Sequence, residues 1–293
     1  MPPPEIERLC SAIVPGSGSI DVERLGAGLV SDTYRVVRGG AAYTLKVAAE
    51  DRPNLGLNPR WEVQVLERAA GAGLAPRLVC FDPDGAVLLM RWVEGRSWIS
   101  HEAAIPANLD RIAALLRRVH SLALPDPERV VTPLQWIEIY EEALSQRASH
   151  SSDPALRGEA LGRARAWLEL PRPVGVVCHS DLHAMNLLEE NDSLILLDWE
   201  YAHVTDPLWD LAGWSANNDL DTESQRGLLG RYLGRAPLPG EWQRLRLLLA
   251  LYDYVCLLWT QLYLSVLGAR ANGAAERARL LDARLRLPAH YAA

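Results

Sequence analysis

Lysine is nearly missing from this chain: of its 30 basic residues, Lys46 alone is a lysine. It stands in an apolar run, where an unpaired ammonium is costly. Positive charge is scarce overall, since the formal net charge is -7. That balance excludes a general nucleic-acid-binding role. It does not exclude nucleotide binding, which needs only local cations. Cysteine is sparse and scattered, at Cys10, Cys80, Cys178 and Cys256, with no Cys-x-x-Cys pair. That spacing argues against a disulfide framework or a zinc set, and the residues read as buried thiols in a reducing compartment. Met1-Pro2-Pro3-Pro4-Glu5 lacks a basic region followed by an apolar one, so no signal peptide and a cytoplasmic location are expected. Internal repeats and low-complexity tracts are absent. Only Leu247 to Leu267 is long and apolar enough to suggest a membrane span. Asp253, Gln261 and three tyrosines interrupt it, so a buried helix of a soluble domain is expected and no membrane partner.

The chain has 293 residues, 49% of them hydrophobic, enough for one large domain or a two-lobed one. Its N-terminal third reads as strands. Val22–Leu25, Tyr34–Val37 and Tyr43–Val47 read as three strands, with Arg38-Gly39-Gly40 as a hairpin turn. Gly26-Ala27-Gly28 lies between two strands, not between a strand and a helix, which argues against a dinucleotide fingerprint or P-loop. It fits a hairpin flap, continued by Ser31, whose backbone covers phosphates. Asn58 and Pro59 are placed to start a helix. Glu62, Leu66 and Ala69 share its inward face, so Glu62 is the expected partner of Lys46. A lysine snorkelling to solvent is the alternative. Leu78–Phe81 and Ala86–Trp92 add two strands, giving five. From there the pattern turns helical: Ile105 to Val119, Pro133 to Ala148, Pro154 to Leu170, and a helix from Asp206. Arg270 to Arg286 reads as a solvated helix face.

The chemistry concentrates in His179-Ser180-Asp181-Leu182-His183-Ala184-Met185-Asn186, followed by Asp198-Trp199-Glu200. Gly175 to Cys178 reads as an approach strand, and Leu187-Leu188 and Leu194–Leu197 as two short buried strands. Asp181 and Asn186 then fall on a loop and Asp198 at a strand end. Two carboxylates and an amide suit Mg²⁺ and phosphate, because a hard cation takes a few oxygen ligands and leaves room for phosphate. A further carboxylate can orient and deprotonate an attacking hydroxyl.

His-x-Asp-Leu-x-x-x-Asn followed by an Asp leaving a strand resembles the catalytic loop and metal-binding Asp of the protein-kinase-like fold. His-Ser-Asp-Leu-His and Asp-Trp-Glu-Tyr-Ala resemble its small-molecule branch, the aminoglycoside phosphotransferases and the choline, ethanolamine and thiamine kinases. The resemblance implies an α+β, two-lobed fold. A small N-terminal antiparallel sheet lobe with one helix would cover residues 1–92, and a larger, mainly helical C-terminal lobe 93–293, with the catalytic loop and acceptor site. It implies Asp181 as catalytic base, Asn186 and Asp198 on Mg²⁺, and Lys46 on the ATP phosphates. Gly26, Gly28 and Ser31 would form the flap, and the backbone of Met90 and Trp92 the adenine hinge. His179 and Asp210 would brace the loop. An ATP-dependent kinase of a small hydroxylated molecule follows, acting as monomer or homodimer. The alternatives are a nucleotide-binding pseudokinase module and a metal-dependent hydrolase using His179, Asp181 and His183.

Tyr252, Cys256, Trp259 and Tyr263 share one face of the long C-terminal helix. Such a stripe is either core or, as in choline and ethanolamine kinases, a box for a cationic group. With Glu200 and Asp253 it suggests a cationic alcohol such as choline, ethanolamine or thiamine. Aminoglycosides, sugars and homoserine are the alternative acceptors.

Overall fold

The computed structural model describes all residues except 1, 2, 28, 50–52, 83, 85, 86, 126, 127, 148–152, 172, 269, 270, 272, 292 and 293. Contacts divide the chain into two compact units. The first comprises residues 1–96 and 188–200, the second 97–187 and 201–293.

The first unit opens with α1 (Pro4–Ile13), then β1 (Ile20–Ala27), β2 (Ser31–Arg38) and β3 (Ala41–Ala48). α2 (Pro59–Gly71), β4 (Leu78–Asp82) and β5 (Val87–Arg91) follow. The five strands form one sheet of order β1-β2-β3-β5-β4, antiparallel throughout. The β2–β3 turn places Gly39 and Gly40 at φ 58° and 79°, the double positive φ that a tight hairpin demands and glycine supplies without strain. Period-two alternation then sorts the side chains. Tyr34, Val36, Tyr43 and Leu45 face α1 and bury against Ile6 and Cys10. Lys46, one residue on, faces the opposite side. α2 begins as the sequence suggests: Asn58 accepts the backbone N–H groups of Arg60 and Trp61, and Pro59 holds the first position.

The short β6 (Arg96–Ser97), β8 (Leu187–Glu190) and β9 (Ser193–Leu196) make a three-stranded sheet. The sequence reading assigned everything after residue 92 to the helical lobe, yet 188–200 clusters with the first unit. One reason is a backbone hydrogen bond of 2.8 Å from Leu196 N–H to the Leu74 carbonyl.

The second unit is helical around a two-stranded ribbon, β7 (Val176–Cys178) paired antiparallel with β10 (His203–Thr205). Its helices are α3 (Pro106–His120), α4 (Pro133–Ser145), α5 (Pro154–Glu169), α6 (Leu208–Asn217), α7 (Thr222–Leu233), α8 (Pro239–Leu267) and α9 (Ala274–Leu285). α8 packs against α4, α5, α6 and α9. Among the described residues it alone is long and apolar enough to cross a membrane, and 67% of that window is buried inside the protein. Its neighbours surround the apolar faces, so it behaves as a core helix. The tail read as a solvated face is a correction: Leu281 and Leu285 of α9 are buried, and Arg284 pairs with the buried Asp253. All four cysteines are free thiols.

Candidate active site

In the first unit Lys46 collects three acids. Its Nζ lies 3.0 Å from Glu62 Oε1, 2.6 Å from Asp198 Oδ1 and 2.7 Å from Glu200 Oε2. β3 supplies the lysine and α2 the glutamate, the pairing expected from the inward face of that helix. Ser31 Oγ donates to Glu200 at 3.2 Å. Burial works against the ammonium, but the charges of Asp198, Glu200 and Glu62 outweigh it and hold Lys46 protonated well above its usual range. Burial and the neighbouring Asp198 push Glu200 up to about 8, against the pull of Lys46. Asp198 sits at φ 61°, a backbone conformation that costs a non-glycine residue of order 1 kcal/mol and is retained where geometry matters. A cavity of about 270 Å³ opens over this cluster, lined by Val30, Ser31, Lys46, Asn54, Glu62 and Glu200 among others. Gly26 lies at the end of β1, with open space where a Cβ would be. Gly28 lies outside the described residues. Met90 and Trp92, the expected hinge, do not line this cavity. The Trp92 N–H is already donated to Ala42 O at 3.1 Å.

In the second unit the loop 179–186 is fixed from below by a buried carboxylate. Asp210 accepts the backbone N–H of His179 at 2.9 Å and of Ser180 at 2.8 Å. His120 completes it, with Nε2 3.1 Å from Asp210 and Nδ1 2.8 Å from the Tyr232 hydroxyl. Ser180 takes φ 70°, turning the loop so that Asp181 projects. Asn186 Nδ2 donates to the Asp181 carbonyl and to its Oδ2, both at 3.0 Å. Burial pushes the Asp181 carboxyl up, but His183, then His179 and Arg277, hold it down at about 2. It is ionised at neutral pH and can accept a hydroxyl proton. Among the described residues the one group of three close metal-type donors is His120, Cys178 and Asp210. It contains neither His179 nor His183, so the hydrolase ligand set is not assembled.

Asp181 opens onto a cavity of about 130 Å³ walled by Trp136, Tyr140, Tyr201, Trp209, Tyr252 and Trp259, with Cys256 and Arg277. Three of the four residues of the helical stripe, Tyr252, Cys256 and Trp259, line it. Tyr263 instead stacks on Trp259, with centroids 5.0 Å apart. Asp253 is a correction. It is fully buried, bound by Arg284 and by Tyr291 Oη at 2.5 Å, and does not reach the cavity. Glu200 belongs to the first unit and to Lys46. The sequence reading missed Trp136 and Tyr140 on α4, Tyr201 after the Asp-Trp-Glu motif, Trp209 on α6 and Arg277 on α9. One signal was present: a Cβ on Gly213 would stand 2.9 Å from the Tyr252 ring, so glycine there admits the aromatic wall.

A family model described as the phosphotransferase enzyme family matches residues 21–248. The chain belongs to this family. It is 36% identical over 124 residues to a thiamine kinase of Shigella boydii, covering 40% of each chain. It is 32% identical over 217 residues to the protein LicA of Haemophilus influenzae, covering 73% of this chain and 63% of LicA. The matches thus span less than two-thirds of the length of these relatives. A choline/ethanolamine kinase family protein from Mesorhizobium loti superposes with a TM-score of 0.76 at 25% identity, covering 98% of this chain and 95% of the other. The fold is the protein-kinase-like α+β fold.

Proposed function

We propose that this chain is an ATP- and Mg²⁺-dependent phosphotransferase that phosphorylates a hydroxyl of a small cationic alcohol of the choline, ethanolamine or thiamine type. The observation that carries the reading is the acid cluster on the lone lysine. Three acids meet one ammonium, and even with Glu200 pushed up to about 8 and so largely protonated, Asp198 and Glu62 carry more negative charge than Lys46 balances. A divalent cation offsets the excess, and Asp198, with 39% of its side chain exposed, is placed to hold it. Mg²⁺ there would offset the charge of the nucleotide phosphates.

The remaining work falls to the chain itself. Lys46, kept protonated by its acids, binds phosphate oxygens. Glu62 holds the lysine in place when Asp198 turns to metal. Asp181 orients the acceptor hydroxyl and takes its proton at Oδ1, while Asn186 fixes Oδ2. Asn186 Oδ1 accepts from no described residue, which leaves it available as the oxygen ligand the motif suggests. Asp210 and His120 hold the loop rigid beneath. The rings around Asp181 suit a cation, whose attraction to aromatic faces replaces hydration.

An ADP-release assay across choline, ethanolamine, thiamine, aminoglycosides, amino sugars and homoserine tests the reading. Acceptor-dependent release is expected, highest with a small alcohol that carries an ammonium group. Release with none of them would favour a nucleotide-binding module without transfer. Asp198→Ala should weaken the dependence of ATP binding on Mg²⁺; titrations with and without the ion that look alike in wild type and variant would place the metal elsewhere.

A further inference from the structure

The acceptor cavity carries a guanidinium that a purely cationic substrate would not favour. Among the described residues that line it, Asp181 is the only acid. Arg277 lines the same wall, and its guanidinium donates to the neutral Asn217 Oδ1 at 2.9 Å. It pairs with no described carboxylate. The other arginines of α9 differ: Arg279 pairs with Glu276, and Arg284 with Asp253 and Asp219. Arg129 does not line the cavity but packs on its wall, its guanidinium 5.6 Å from the ring centroid of Trp136. Arg129 Nη1 is buried without a hydrogen-bond partner, and no described carboxylate faces it. Arg277 therefore stands in the cavity opposite a single carboxylate, and that carboxylate is committed to the acceptor hydroxyl. The six rings still favour an ammonium. A substrate satisfying both features carries charge of both signs.

We infer that the acceptor is a zwitterionic alcohol, with its ammonium among the rings and a carboxylate or similar anion on Arg277. This rests on the phosphotransferase reading for the identity of the site and goes beyond it in the substrate class. Arginine suits the role because its planar fork matches an anion's oxygens bidentately. Arg277 also borders a second cleft of about 500 Å³, with His290 and the Arg284–Asp219 pair on its wall, so a substrate end has room to extend past the guanidinium.

Matched ligands test it. Choline and carnitine share a hydroxyl and a trimethylammonium group, and only carnitine adds a carboxylate. Ethanolamine and serine form a second pair with a primary ammonium. Binding of each is measured by calorimetry on the full chain at low salt, and ADP release is followed separately. The carboxylated member of at least one pair should bind about tenfold tighter or more, as for one charge-assisted contact. Arg277→Gln, which keeps a hydrogen bond to Asn217 but loses the charge, should cut that preference to within about threefold, and Arg277→Lys should retain most of it. A merely structural Arg277 would weaken both members of a pair equally. The inference is overturned if choline and ethanolamine bind as well as their partners, if neither zwitterion binds, or if the preference survives in Arg277→Gln. A preference that is present and lost in Arg277→Gln, with no ADP formed, supports the inference and sinks the kinase reading instead.

Discussion

The two cavities solve opposite electrostatic problems. Over Lys46 the first unit concentrates three acids on one cation and lines the space with few rings. Around Asp181 the second unit sets six rings and one acid beside a guanidinium that is bonded to the neutral Asn217. The first cavity waits for positive charge, such as a divalent ion, to balance it. Under the proposed function, the second would hold an organic molecule by its apolar and cationic parts while a single carboxylate took the proton. A phosphotransferase needs both kinds of site, because its two substrates differ in this way: a polyanion on one side, a small alcohol on the other.

The contrast predicts which acids of the second unit belong to structure and which to chemistry. Asp253→Ala should have the largest effect on folding. It leaves Arg284 and Tyr291 without their buried partner, at a cost of about 3–5 kcal/mol. Urea unfolding measures it, and a loss under about 1 kcal/mol would mean that the pair is replaceable. Behind the aromatic wall, His203 is the next lever. The Trp136 indole can only donate, so His203 Nε2 accepts at 3.3 Å and Nδ1 carries the proton toward the Tyr201 carbonyl. Burial, with a smaller push from Arg129, holds His203 down at about 4. Its folded pKa is depressed below the unfolded value, so its contribution is complete above pH about 6.5 and is lost as pH falls through about 4, roughly 3 kcal/mol in all. The midpoint of unfolding should drop across that window in wild type, and the drop should flatten in His203→Gln. An identical slope in both would assign the acid sensitivity to other groups.

Much of this was legible in the sequence, for local reasons. The Asn58 cap, the Gly39-Gly40 turn and the alternation around Lys46 are written in neighbouring residues, and the Lys46–Glu62 pair followed from one helix face. The bracing by Asp210 was foreseen through family resemblance. The rest depends on packing between distant segments. Nothing near Trp136 or Trp209 in sequence says that both line one cavity with Tyr252, since α4, α6 and α8 converge only in the fold. Asp253 shares the apolar helix with Trp259 and looked equally inward. The partner that takes it away from the cavity, Arg284, lies 31 residues on. α7 went unread although Asp221 caps it and Gly234 ends it at φ 70°, because its buried leucines are too few to show a period.

Smaller effects sharpen the second cavity alone. Asp181→Asn keeps the loop's hydrogen bonds and should lower turnover by about a hundredfold or more while ATP still binds. Near-full activity would remove it from the chemistry. Trp259→Leu should raise the acceptor KM several-fold and leave the ATP KM unchanged, as for loss of about 0.5–2 kcal/mol of cation–π contact. A fall in melting temperature without a change in acceptor KM would return Trp259 to the core.

The central claim is transfer of phosphate from nucleotide to alcohol, and following the product tests it most directly. With ATP, Mg²⁺ and the best acceptor of the panel, mass spectrometry should find the acceptor phosphorylated in amounts equal to the ADP formed. Neither should accumulate with Asp181→Asn. ADP accompanied by free phosphate and an unmodified acceptor would contradict the account and mark the chain as a nucleotide hydrolase.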